Sequence, residues 1–148
     1  MSIKKSFLGT GWNFPPTFQD EFWGVEMISD EPDIKSSLEI IFSTDPGERV
    51  MQPQFGCALR KFLFEPMNVA TKALIEKVIK DALLIHEPRI IVENVQIGDS
   101  AGTDQRLIAQ NNNDGILPIN IDYTVITTNR RDNYVYPFYY NEGTNLVR

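Results

Sequence analysis

The chain has 148 residues, a length that suits one compact domain hiding roughly 70% of its unfolded surface. Hydrophobic residues make up 42% and charged residues 23%, a balance that excludes wholesale disorder. The formal net charge is -6 with lysines and arginines scattered in ones and twos, so nucleic acid and anionic membrane surfaces are not expected partners, because phosphate binding needs clustered positive charge.

Residues 1–29 form the first unit. Met1 to Asp20 sets Gly9, Gly11, Pro15 and Pro16 among Phe7, Trp12, Phe14 and Phe18. Glycine and proline prevent a helix, and aromatics are costly to leave in water, so an extended arm is expected against a surface of its own domain or of another chain. The segment lacks the basic start and apolar stretch of a signal peptide, and no run reaches the roughly 20 apolar residues of a membrane span. Synthesis in the cytoplasm without membrane insertion is the expectation. Trp23, Val25 and Met27 alternate weakly and predict a short strand from Trp23 to Ser29.

A single domain is expected over residues 30–148. Asp30 reads as an N-cap, with Pro32 in the first turn and Glu31 and Asp33 complementing the helix dipole. Ile34, Leu38, Ile41 and Phe42 follow at helical spacing, and Asp45, Pro46 and Gly47 end the helix. Gly47 to Gly56 has no sustained period and reads as an ordered loop. Gly47 suits a left-handed helix cap, while Glu48 and Arg49 either brace the loop or meet a partner. A short helix, Cys57 to Phe64, is expected next, with Leu59, Phe62 and Leu63 inward and Pro66 closing it. Cys57 is the only cysteine, so neither an internal disulfide nor a thiolate metal site is expected, and no cofactor motif is present.

Asn68 caps the longest predicted helix, Val69 to about His86. Its apolar face is Ile75, Val78, Ile79, Ala82 and Leu83, and Lys72, Glu76 and Lys80 ladder the other side. Pro88 forces the stop. Beyond it the period becomes two. In Arg89 to Asp99, Ile90 and Val92 keep one phase and Val95 and Ile97 the other, which predicts a bulge near Glu93 and Asn94. Asn111 to Gly115 reads as a polar turn. Leu117, Ile119, Ile121, Tyr123 and Val125 alternate as a half-buried antiparallel strand does. A turn, Asn129 to Asn133, leads to the aromatic segment Tyr134 to Tyr140, which Pro137 assigns to a sheet edge. Helices followed by strands predict an α+β fold with helices on one face of an antiparallel sheet. That edge is either a site for strand addition or is covered by the N-terminal arm.

Several stretches together resemble one family. Asp33, Ser37 and Leu38 lead into Thr44, Pro46, Gly47, Glu48 and Arg49, then Pro53, Phe55 and Gly56. Glu87-Pro88-Arg89 follows the long helix, and Tyr123, Thr127-Thr128-Asn129 and Val135-Tyr136-Pro137-Phe138-Tyr139 close the pattern. The opening Gly11-Trp12-Asn13-Phe14-Pro15-Pro16 looks like the branch found in injection systems. Taken in order, nearly the whole chain is similar to the baseplate wedge family of contractile-tailed phages, type VI secretion systems and related extracellular particles. Gly98 to Gly115 departs from the family pattern as a longer, asparagine-rich hairpin.

The resemblance implies structural work, not catalysis, in the baseplate of a contractile particle assembled in the bacterial cytoplasm. It implies a fold similar to the interlocking domain of the sheath subunit. The implied partners are other wedge subunits, the sheath subunit, and tube or hub proteins, in a sixfold arrangement. The sheath would be seeded by strand exchange at Tyr134, Tyr136, Pro137, Phe138 and Tyr139. Glu87, Pro88 and Arg89 form a rigid corner whose charged side chains are expected to project towards a neighbouring subunit; a local surface ion pair is the plainer reading. Because an early family member carries a lysozyme label, a glycoside hydrolase is the competing reading, and it requires two carboxylates across a sugar cleft. A free-standing adaptor that binds peptides by strand addition is a third. Cys57 and His86 invite a thiol and base pairing that no motif supports.

Overall fold

The computed structural model describes residues 7–19, 24–98 and 116–139. The arm is not simply extended. Strand β1 (Thr10–Trp12) pairs antiparallel with β4 (Met27–Ser29), and β2 (Phe18–Gln19) pairs with β3 (Gly24–Val25). The Glu26 carboxylate ties the fold-back by accepting from Asn13 Nδ2 at 3.1 Å and Thr17 Oγ1 at 2.6 Å. Phe7, Trp12 and Phe18 stay exposed, whereas Leu8 enters the core. The arm is thus held by backbone pairing and one aliphatic anchor rather than by its aromatics. Trp23, expected to begin a strand, lies outside the described residues.

Helix α1 (Glu31–Ser43) buries Ile34, Leu38, Ile41 and Phe42, the stripe that the spacing predicts. Asp30 occupies the N-cap, but its side chain makes no capping bond. Its φ of 65° instead turns the chain out of β4, where its amide donates to Gly9 O at 3.3 Å. The expected helix from Cys57 to Phe64 shrinks to a 3-10 turn, Leu59–Phe62. The cause is local: the Cys57 amide is committed to Thr44 O at 2.9 Å, and Phe64 takes a positive φ of 66°.

Helix α2 (Val69–His86) starts where Asn68 Oδ1 accepts the Thr71 amide at 2.8 Å and buries Ile75, Ile79, Ala82 and Leu83. On its outer side Lys80 meets Glu76 at 2.6 Å. Strands β5 (Ile90–Ile97), β6 (Ile116–Val125) and β7 (Arg130–Tyr139) form an antiparallel sheet in the order β5-β6-β7. The register shifts between Val92 and Asn94, so the extra residue Glu93 lets both Ile90 and Val95 turn inward despite their opposite phase. Strand β7 begins at Arg130, inside the segment read as a turn, because the reversal is completed within 126–129, where Asn129 has a φ of 51°. The hairpin expected over Gly98 to Gly115 falls almost wholly on residues 99–115, outside the described set.

The core lies between the helices and one face of this sheet, where Ile119, Ile121, Tyr123 and Val125 meet the apolar faces of α1 and α2. This is the α+β arrangement that the order of elements predicts. The loop after α1 is closed by Gly56. Its φ is +115°, and a Cβ there would fall 2.1 Å from Thr44 O. At Gly47, φ is +97° but nothing lies within 4 Å of a Cβ. Gly56→Ala is therefore expected to destabilise by at least about 2 kcal/mol, and Gly47→Ala by about 1 kcal/mol. Equal urea midpoints for the two variants would contradict this account.

Candidate partner-binding site

The corner after α2 turns inward. Glu87 is only 2% exposed. Arg89 grips it bidentately, Nε to Oε1 at 2.6 Å and Nη2 to Oε2 at 2.7 Å. The remaining nitrogen, Nη1, donates to Asp33 Oδ2 at 2.6 Å and to Leu8 O at 3.1 Å. The expectation that both charged side chains project outward is not met, and the plainer surface ion pair is not what forms either. One guanidinium joins the corner, the first turn of α1 and the arm. Of the three residues Pro88 is exposed, Arg89 half-buried and Glu87 buried.

Burial pushes the Glu87 carboxyl up, but hydrogen bonds from Arg89 and Ser37 outweigh it and leave the pKa below the ordinary 4.5. Arg89 is raised in turn, chiefly by its bonds to Glu87. The arm fits here because Gly11 has no side chain: a Cβ would fall 2.2 Å from Asp33 Oδ1. Asp33, Leu8 and Gly11 thus belong with the motif. Sequence reasoning assigned Asp33 to the helix dipole alone, and spacing gives no sign of a partner 56 residues away.

The loop 47–56 is braced from within. Glu48 accepts the Asp45 amide at 3.0 Å and pairs with Arg60 at 3.0 Å. Arg49 lies 3.8 Å above the Phe55 ring, which packs on His86 at 4.9 Å. Gly47 is left-handed, yet it closes the loop through Pro53 O at 2.7 Å rather than capping α1, which ends in extended Thr44. At the tip Val50 and Met51 are more than 90% exposed, a pair that sequence periodicity did not single out.

Strand β7 is an edge, with no strand on its outer side among the described residues. Tyr136 and Phe138 are buried on the core face, Tyr136 against Phe42 at 5.3 Å, and Tyr134 stacks on the same ring at 6.1 Å. These three aromatics therefore face the helices, and what the edge offers beside them is backbone. Pro118 stands opposite Pro137. Neither has an amide proton, so theirs is a non-hydrogen-bonded pair, and alternation turns the polar backbone of Val135, Pro137 and Tyr139 outward. Asn133, in the same phase, already has its amide bonded to Asp132 Oδ1 at 2.8 Å. Tyr140 lies outside the described residues.

Nothing in the described carboxylates assembles a catalytic pair. Glu93, Asp122 and Asp132 line one open groove, in which Asp132 stands on the helix side of the sheet, opposite Tyr123. Burial raises the Asp132 carboxyl, but Lys35, the Asn133 amide and Tyr123 together hold it below its ordinary value, the opposite of a general acid. Asp45 is raised by burial yet is salt-bridged to Arg60 at 3.2 Å. Cys57 is fully buried, which pushes its thiol up to about 12, while His86 Nε2 sits 3.1 Å from Gln54 O. Among the described residues no group of three or more metal-ligating side chains is found, and no helix is long and apolar enough to cross a membrane.

A family model described as baseplate wedge protein gp25 matches residues 29–130. The chain belongs to this family. It is 44% identical over 57 residues to baseplate wedge protein gp25 of Enterobacteria phage T4, an alignment covering 38% of this chain and 43% of the T4 protein, less than half of that relative. A crystal structure from Geobacter sulfurreducens, provisionally described as a tail lysozyme, superposes with a TM-score of 0.67 at 39% identity, covering 82% of this chain and all of that one. The cryo-EM structure of the anti-feeding prophage baseplate, symmetrised sixfold, contains a chain with a TM-score of 0.60 at 26% identity, covering 90% of this chain and 87% of that one. The wedge chain is thus a baseplate component of a contractile, phage-tail-like system.

Removing Arg89 would leave Glu87 buried without its cation. Arg89→Ala is expected to cost about 3–5 kcal/mol, and the double variant Glu87→Leu/Arg89→Met less than the sum of its single changes. Because folding lowers the Glu87 pKa, its contribution is present above the unfolded value near 4.5 and is lost as pH falls through the folded value. Urea titrations between pH 3 and 7 should show this loss in the parent, and in Arg89→Ala the slope attributable to Glu87 should flatten or reverse.

Proposed function

We propose that this wedge subunit acts structurally, joining other baseplate subunits in a sixfold ring around the tube and seeding the sheath by accepting a strand at β7. The single observation that carries the reading is the outward backbone of Val135, Pro137 and Tyr139 on a strand whose Tyr134, Tyr136 and Phe138 side chains are already committed to the core. Such an edge holds its shape and leaves its hydrogen-bonding groups for another chain. Tyr134, Tyr136 and Phe138 serve by stiffening the edge, Pro137 and Tyr139 by standing on it. Glu87 and Arg89 serve by fixing the arm and α1, which frame that margin, with Pro88 on the corner's outer surface. Glu48 and Arg49 brace a loop that offers Val50 and Met51 to a neighbouring wedge, tube or hub protein.

Val135→Pro tests the edge without breaking the ladder, since the amide it removes points away from β6. The variant should keep the parent's circular dichroism and lose co-purification with the sheath subunit of the same particle by at least about tenfold. Undiminished co-purification would refute strand addition, and a wedge that recovers no sheath subunit at all would favour the free-standing adaptor. The tail-lysozyme description of the Geobacter protein favours one other reading. If this chain were a glycoside hydrolase, purified protein would release sugar from peptidoglycan, and Asp132→Asn or Glu93→Gln would abolish the release. The structural reading expects no turnover above a heat-denatured control.

A further inference from the structure

Where α1 passes under β7, an open groove of about 390 Å3 lies beside the strand that forms the sheet edge among the described residues, lined by Phe14, Ile28, Lys35, Ser36, Glu39 and Tyr134. Its charges are unevenly spoken for. Lys35 is held by Asp132 at 2.9 Å, and Glu31 at the rim by Arg130 at 2.7 Å. Glu39 joins no ion pair among the described residues. Ser36 is 8% exposed, and its hydroxyl oxygen is buried with no hydrogen-bond partner. A buried hydroxyl left unsatisfied is costly, and Ser36 stands at the wall of this mixed polar and apolar groove. Ser36 and Glu39 are three residues apart on α1, so they are neighbours on one helix face.

We propose that this groove receives the side chain of an arginine carried on the strand that adds at β7. The inference rests on the strand-addition reading and specifies what the incoming strand must bring. Phe14 and Ile28 give the aliphatic stem apolar walls, and Tyr134 gives the guanidinium an aromatic face. The planar donors then reach two acceptors, the Glu39 carboxylate and the Ser36 hydroxyl oxygen, which a single ammonium would satisfy less well. A second cavity of about 50 Å3, lined by Phe42, Leu59, Tyr136 and Phe138 among others, lies further along the same strand. Tyr134 to Phe138 spans about 13 Å of strand, and residues four apart on an added strand face the same side. The occupant is thus a strand with an arginine at one inward position and a small apolar residue at the inward position four away.

The experiment uses the full chain and the purified sheath subunit of the same particle, with affinity measured by calorimetry at low and high salt. Glu39→Gln, an exposed change with no ion pair to lose among the described residues, should weaken binding about tenfold at low salt and flatten the salt dependence; Ser36→Ala should weaken it several-fold. Phenylglyoxal labelling of the sheath subunit should show one arginine protected by the parent wedge and not by Glu39→Gln. If Val135→Pro abolishes binding while Glu39→Gln binds as the parent does and no arginine is protected, the groove assignment is overturned and strand addition stands. If Val135→Pro binds like the parent, both fall.

Discussion

The arrangement depends on a single guanidinium. Arg89 holds a carboxylate that burial alone would drive towards its neutral form, and the same group reaches Asp33 in α1 and the Leu8 carbonyl in the arm. Three parts of the chain distant in sequence are thereby fixed at one point. The proline between Glu87 and Arg89 sets the corner so that both side chains return to the same place. Charge is used here as an internal fastening, and this accounts for charged residues in a motif that could have been apolar.

Much of the fold was legible because it follows periodicity. The stripe of α1, the apolar face and cap of α2, the bulge at Glu93 and the inward set of β6 are all readable from spacing and burial preference alone. The short segment Cys57 to Phe64 was not, since its backbone is diverted by a bond from Cys57 to Thr44 that no local pattern announces. The pairing within the arm was not legible for a related reason. Its aromatics suggested burial, yet Leu8 is the residue that enters the core, and pairing between β1 and β4 does the rest.

The candidate site was legible in position and less so in orientation. Glu87-Pro88-Arg89, the loop around Glu48 and the aromatic strand were each picked out, but side-chain direction depends on partners far along the chain. Arg89 turns inward because Asp33 and Leu8 wait there, and Tyr136 turns inward because Phe42 does. The resemblance supplied the role and the structure supplied the facing. The family match and the baseplate neighbour agree with the role at the level of the component.

The facing prolines, Pro118 and Pro137, have a consequence for solitude. An uncovered sheet margin tempts a molecule to zip onto its own twin. In such a homotypic zipper the missing amide proton would be encountered twice, once from each copy, whereas a foreign strand would meet it once. The gap thus penalises pairing between two copies more heavily than pairing with a foreign strand.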